Sequence, residues 1–276
     1  MSLTTNTVPH QAIRIPYGDD ENQFGDLRLP EGEGPFPVAI VIHGGFWRAK
    51  FNLDHINPLA DALTAQGVAT WTIEYRRVGH EGGAWPGTFI DSALATNYVR
   101  TLADTYPIDL NRVVTIGHSA GGHLAVWLAG RNNLPTDSVL RTSDLSLTLK
   151  GVVSLAGVSD LALMHDVHQI RETINGFHDN PTYDLLNGTP IERPDRYNEG
   201  SPIKLLPCGV RLCVIHGSLD INVPIGISDH FVQAARSAGD AVDYMILPTA
   251  EHFQLIDPDT EAGLQVVQST IRLLQE

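Results

Sequence analysis

Positive charge is scarce in this chain. Its 276 residues carry 18 Lys and Arg against 32 Asp and Glu, a formal net charge of -14. Nucleic acid and anionic membrane surfaces are polyanions and would be repelled, so neither is expected as a partner. Cysteine is nearly absent. Cys208 and Cys213 are the only two, too few for a disulfide framework, and read as reduced thiols in or near the core. No apolar run approaches the ~20 residues that cross a bilayer. Residues 1–10 are polar, read as a loose tail and lack the apolar segment of a signal peptide. A cytoplasmic protein without a membrane partner is therefore expected. Internal repeats and low-complexity stretches are also missing, which excludes solenoid and propeller arrays.

What is present is a core and a rhythm. Hydrophobic residues make up 42% of the chain, enough for a sizeable core, and its 276 residues suit one large α/β domain or two small ones; a single domain over 1–276 is expected. Residues 11–16 and 24–29 alternate as strands around a turn at Tyr17-Gly18-Asp19-Asp20 and predict an antiparallel edge. The continuous apolar run 38–42 predicts a central strand covered on both faces. Further strands are predicted at 68–75, 113–116, 151–156, 210–216 and 241–247. Helices are predicted at 54–66, 88–106, 122–129, 225–238 and 258–274, with a turn at 109–112. Residues 161–198 are weakly periodic and rich in Pro and His; they read as short helices inserted over one end of the sheet, a cap. Strands alternating with helices imply an α/β fold, a mostly parallel central sheet with helices on both faces. Working residues of such sheets lie at the carboxyl ends of strands.

The most informative stretch is Gly117-His118-Ser119-Ala120-Gly121, a G-x-S-x-G pattern. It follows the run Val113-Val114-Thr115-Ile116 and precedes a helical segment, which puts Ser119 at the tip of a sharp strand–helix bend. Glycines on both sides let strand and helix close on one another, and the helix N-terminus favours developing negative charge. Two other polar residues fall at strand ends: Asp220 after 210–216, and His252 after 241–247. A serine hydroxyl is a poor nucleophile until an imidazole removes its proton, and a carboxylate on the far ring nitrogen orients that imidazole. Ser119 is thus the candidate nucleophile, His252 the base and Asp220 its acid partner. Asp160, also after a strand, is the rival acid. The segment His43-Gly44-Gly45-Phe46-Trp47 ends the central strand, and its glycines let backbone N–H groups turn toward a substrate oxygen. Gly45, Phe46 and Ala120 are the candidate oxyanion donors. His43 reads as a structural residue holding that loop, and His118, His123 and His216 as core or supporting residues. Gly44, Trp47 and Phe253 are candidates for a substrate pocket, with Phe46, Trp85, Met164 and Phe177 as further apolar walls. No metal or cofactor is expected.

Taken together, HGGFW, GHSAGGH, G-S-x-D-x-x-V-P and a late E-H-F make most of residues 36–275 resemble an α/β-hydrolase of the esterase type. HGGFW is more similar to the H-G-G-x-W motif of kynurenine formamidases (arylformamidases) than to the H-G-G-G of hormone-sensitive-lipase-like esterases. The resemblance implies an α/β-hydrolase fold and a metal-free serine hydrolase acting on small carboxylic esters or aryl formamides, with Ser119, Asp220 and His252 in the roles above. Two other readings stay open: a small serine peptidase of prolyl-oligopeptidase-like type, since Val223-Pro224 after Asp220 also occurs there, and a non-catalytic binding protein on the same fold. A homodimer is equally left open, while the expected ligand is a small-molecule ester or amide.

Overall fold

Alternation along the central strand decides how this molecule is layered. The computed structural model of the chain describes residues 11–142 and 146–276; the predicted tail at 1–10 lies outside them. Val38, Ile40 and Ile42 face one apolar cluster, whereas Ala39 and Val41 face another, and all five are fully buried. A strand buried on both sides needs helices on both sides, and the described elements supply them. The strands are β1 (Ile13–Pro16), β2 (Phe24–Arg28), β3 (Phe36–Ile42), β4 (Ala69–Ile73), β5 (Ile108–His118), β6 (Gly151–Leu155), β7 (Arg211–Gly217) and β8 (Val242–Leu247). They form one sheet in the order β1-β2-β4-β3-β5-β6-β7-β8. β1 and β2 are antiparallel, as is β2 with β4, and the remaining pairs are parallel.

The helices are α1 (Asn57–Ala65), α2 (Gly87–Asn97), α3 (Val99–Ala103), α4 (Ala120–Gly130), α5 (Leu161–Asn175), α6 (Pro181–Leu186), α7 (Pro194–Gly200), α8 (Ile225–Ser237) and α9 (Glu261–Gln275). α1 and α9 pack Leu59, Leu63, Val266 and Leu273 against one face of the sheet. α2, α4 and α8 bury Phe89, Leu124, Trp127 and Phe231 on the other. Trp127 is wholly buried between α2 and the inserted helices, its ring 5.1 Å from that of Phe89 and its indole N–H on the Glu199 carbonyl at 2.9 Å.

The described elements depart from the predicted ones in a few places, each with a local cause. The predicted turn at 109–112 lies inside β5. Asp109 does accept from the Asn111 N–H at 2.9 Å, as turn chemistry requires. The ladder absorbs it, however, because Phe36 pairs with Ile108 and Val38 with Val113, a bulge in the register. The helix at 88–106 is two helices separated at Tyr98 and ends at Ala103. Residues 53–56 form a separate 3₁₀ turn before α1, whose second residue is Pro58. α9 begins at Glu261, where the Thr260 hydroxyl accepts from the Gly263 N–H at 3.0 Å. Among the described residues no helix is long and apolar enough to cross a membrane. Cys208 and Cys213 are both free, and burial pushes their thiols up to about 12 and about 11.

Candidate active site

Ser119 stands between β5 and α4 with φ 58 and ψ -118, a backbone conformation that costs energy for any residue with a side chain. The surroundings impose it. The Ser119 N–H is held by the Leu155 carbonyl of β6 at 2.8 Å, and the Ser119 carbonyl accepts from the His123 N–H at 3.0 Å. At Gly121 an added Cβ would lie 2.1 Å from the Ile42 carbonyl, so helix, elbow and β3 meet backbone to backbone. The result is the strand–turn–helix arrangement in which a serine side chain is raised from the end of a parallel sheet.

His252 comes from the loop after β8, Asp220 from the loop after β7. These loops are joined by backbone bonds: Leu219 N–H to Ala250 C=O at 3.0 Å and Ser218 N–H to Leu247 C=O at 2.9 Å. That seam brings His252 Nδ1 to 2.5 Å from Asp220 Oδ2. Both side chains are shielded, with 5% of the imidazole and none of the carboxylate exposed. Burial alone would raise the Asp220 carboxyl. Hydrogen bonds from His216 and His252 and from the Val223 N–H outweigh it and hold the group well below the ordinary carboxylate range. The carboxylate is therefore charged, and Nδ1 of His252 must donate to it, which leaves Nε2 as the free base.

His118, one residue before Ser119, ties the elbow to that pair. Its Nε2 donates to the His252 carbonyl at 3.0 Å, and the two rings lie 4.3 Å apart. Burial and the neighbouring His252 and His55 push the His118 ring well below its usual range, so it stays neutral beside the His252 imidazole. Asp160, the rival acid, is elsewhere. It caps α5 by accepting from the N–H groups of Ala162 and Leu163 and pairs with His230 at 3.3 Å.

The loop after β3 closes the other side. A Cβ on Gly44 would sit 3.1 Å from Ser119 Cβ. Gly45 has φ +107, and Phe46 and Trp47 have φ 54 and 55, three consecutive residues in the left-handed region. Among the described residues no acceptor is paired with the N–H groups of Gly45, Phe46 or Ala120. The apolar candidates divide. Phe253 is 57% exposed, its ring 5.2 Å from His252 and 5.8 Å from His118. Phe46 is half-buried, 5.8 Å from the His168 ring of α5. Trp47 is fully buried with its indole N–H on His123 Nδ1 at 3.2 Å, and belongs to the packing beneath the loop. Met164 is fully buried, Trp85 packs on Phe89, and Phe177 is exposed.

Sequence reasoning passed over three neighbours: Glu74, Arg77 and His55. Glu74 and Arg77 form a buried ion pair at 2.9 Å under the β3 loop, and His55 Nε2 accepts from the Gly44 N–H at 3.3 Å. For Glu74 and Arg77 the signal was Glu74-Tyr75-Arg76-Arg77, a burst of charge directly after a strand whose residues are all buried. His216, read as supporting, bonds Ser228 Oγ at 2.7 Å and the Val223 carbonyl at 3.0 Å. Among the described residues no group of three or more His, Cys, Asp and Glu is arranged to hold a metal ion.

His123 makes a pH prediction. Its Nδ1 accepts from an indole that can only donate, while Nε2 donates to the Gly200 carbonyl at 2.8 Å, so the ring is neutral. Burial pushes its pKa from 6.5 down to about 4. Between those values the unfolded chain binds a proton that the folded chain refuses. Stability therefore falls as pH drops through that window and stops falling below it, by about 3 kcal/mol for this one ring. Thermal unfolding from pH 7 to 4 is expected to show the loss, and His123→Gln, neutral throughout, to show a shallower one.

Comparison with known proteins agrees with this architecture. A family profile described as BD-FAE matches residues 26–234. Among curated proteins the chain is similar to Esterase LipC of Mycobacterium tuberculosis, 28% identical over 249 residues, covering 88% of this chain and 60% of that protein. It is also similar to the kynurenine formamidase of Danio rerio, 23% identical over 283 residues, covering 97% of this chain and 83% of that protein. The chain thus spans about three fifths of the length of LipC. Among solved structures, a truncated carbohydrate esterase from gut microbiota shares the fold with a TM-score of 0.81 over 99% of both chains, at 22% identity. The architecture is an α/β-hydrolase fold of the esterase type.

Proposed function

The chain belongs to the BD-FAE family, and from that premise we propose that it is a serine hydrolase that cleaves small carboxylic esters through an acyl-enzyme on Ser119. The observation that carries this reading is the shielded Asp220–His252 pair, 2.5 Å apart, joined to the nucleophile elbow by the His118 bond. His252 Nε2 takes the Ser119 hydroxyl proton as Oγ attacks the ester carbonyl. Asp220 holds the tautomer and stabilises the imidazolium that forms. The carbonyl oxygen, now negative, accepts from the N–H groups of Gly45, Phe46 and Ala120. The imidazolium then gives its proton to the departing alkoxide, leaving an acyl-serine. Water, deprotonated by the same Nε2, releases the acid and restores the hydroxyl.

Helices α5 to α7, residues 161–200, act as a cap limiting substrate size. They are fastened to the β3 loop by Arg48, which pairs with Asp179 at 2.7 Å and Asp184 at 3.0 Å. A second reading, cleavage of aryl formamides, is favoured by the likeness to kynurenine formamidase, which runs nearly end to end. One assay separates the two: kcat/KM for p-nitrophenyl acetate, p-nitrophenyl butyrate and N-formylkynurenine, side by side. The ester reading expects the nitrophenyl esters to be turned over at least as well. Preference for the formyl substrate by several orders of magnitude replaces it with the formamidase reading. Absence of turnover on all three, together with absence of covalent labelling at Ser119, leaves a binding protein on the same fold.

A further inference from the structure

His43 is fully buried directly before the proposed oxyanion loop, and both of its ring nitrogens face acceptors. Nδ1 lies 2.7 Å from the Gly44 carbonyl and Nε2 lies 2.7 Å from Glu74 Oε1. A carbonyl cannot donate, so Nδ1 carries a hydrogen. Whether Nε2 does as well depends on Glu74. That carboxyl is ringed by groups that only donate: the Tyr75 N–H at 3.1 Å, the Leu53 N–H at 3.2 Å and Arg77 Nη1 at 2.9 Å. The Arg77 guanidinium at 2.9 Å and these backbone N–H donors favour the charged carboxylate over the acid. Glu74 is therefore a carboxylate, and Nε2 donates to it. The Tyr75 ring lies flat on His43, centroids 4.5 Å apart at 15°, the placement in which an aromatic face attracts a cation.

We propose that His43 is a buried imidazolium that aims and polarises the Gly44–Gly45 peptide, making it a positioning residue for the oxyanion donors. The inference rests on the hydrolase reading above and extends it. Peptide planarity supplies the aiming. The Gly44 carbonyl is bonded by His43 Nδ1–H, so the Gly45 N–H of the same plane must point the opposite way, toward the site. The preceding peptide is clamped at both ends. Its His43 carbonyl accepts from the Tyr75 hydroxyl at 2.9 Å, and its Gly44 N–H donates to His55 Nε2 at 3.3 Å. His55 can accept only while its Nε2 is bare. Burial, and after it the charge on His43, push the His55 ring down to about 4 and keep it so. A cation on the carbonyl draws electron density through the amide and strengthens the N–H dipole that meets the substrate oxygen. Glu74 and Arg77 cancel one another's charge, so the imidazolium leaves one net positive charge beneath the loop.

The test is the ring itself. Two-bond ¹H–¹⁵N spectra of the labelled protein at neutral pH, assigned with His43→Gln, are expected to show both nitrogens of His43 protonated. One bare nitrogen overturns the proposal, and the wild-type spectrum decides this whether or not any variant folds. In Glu74→Gln the ring is expected to become neutral. For p-nitrophenyl acetate that variant is expected to lose about tenfold in kcat with KM within about twofold, the pattern of lost transition-state stabilisation. A neutral ring with kcat unchanged overturns the link to the oxyanion loop. The spectrum is read without turnover, so its failure is distinct from failure of the hydrolase reading, which shows as absence of covalent labelling at Ser119.

Discussion

Ser119→Ala and His252→Ala are each expected to lower kcat on a p-nitrophenyl ester by about 10⁴ or more, and Asp220→Asn by nearly as much. The first two remove the attacking atom and its base. The third is the subtler case. Asp220 Oδ1 accepts from the N–H groups of Asn222 and Val223 at 2.8 and 2.9 Å, and an asparagine keeps those bonds by putting its oxygen there. Its NH₂ then faces His252 Nδ1, where a carboxylate oxygen stood at 2.5 Å. A donor facing that nitrogen selects the tautomer with the hydrogen on Nε2, and such a ring cannot take the serine proton. The loop geometry survives while the base is silenced. Stopped assays of kcat and KM, with circular dichroism as a control for folding, check all three. Activity within tenfold of wild type in Asp220→Asn assigns the acid role elsewhere.

Gly121→Ala is expected to destabilise the protein by about 3 kcal/mol or more, or to prevent folding. The added methyl would lie 2.1 Å from the Ile42 carbonyl and 2.5 Å from the His43 carbonyl. Both belong to the backbone at the end of β3, which is held on each side by a parallel neighbour and has no room to withdraw. Gly117→Ala meets the same obstacle, 2.1 Å from the Gly121 carbonyl. Gly226 in α8 is the control. Nothing lies within 4 Å of its added Cβ, and Gly226→Ala is expected to leave stability unchanged or slightly raised. Urea unfolding of the three variants gives the comparison. Equal stability in all three would mean that elbow and β3 are not packed backbone to backbone.

Residues whose chemistry matched their surroundings were legible in the amino-acid sequence. The five residues 38–42 announce a doubly buried strand because nothing in them tolerates water. G-x-S-x-G announces an elbow because a Cβ at either glycine would lie 2.1 Å from a backbone carbonyl oxygen. Asp220 and His252 could be named, since each follows an apolar strand, but their meeting depends on the seam between the loops after β7 and β8, which is made of backbone bonds and leaves no trace in side-chain type. Asp109 shows the converse. Its local turn bond is real, yet pairing with β3 leaves off at Ile108 and resumes at Val113, and a rule that reads neighbours in sequence cannot see a partner strand. Trp47 was taken for a pocket wall because it follows the glycines. Its indole N–H is used by His123, 76 residues on, and long-range polar pairing of that kind has no periodicity to read. Glu74 and Arg77, buried beside His43, escaped for the same reason: a charged residue after a strand reads as surface until its partners are known.

Intact-mass analysis after treatment with a fluorophosphonate tests the central claim most directly. The account predicts one adduct per chain, mapped to the peptide carrying Ser119, absent in Ser119→Ala and formed far more slowly in His252→Ala. An adduct on another residue, or none on a folded protein, would contradict it.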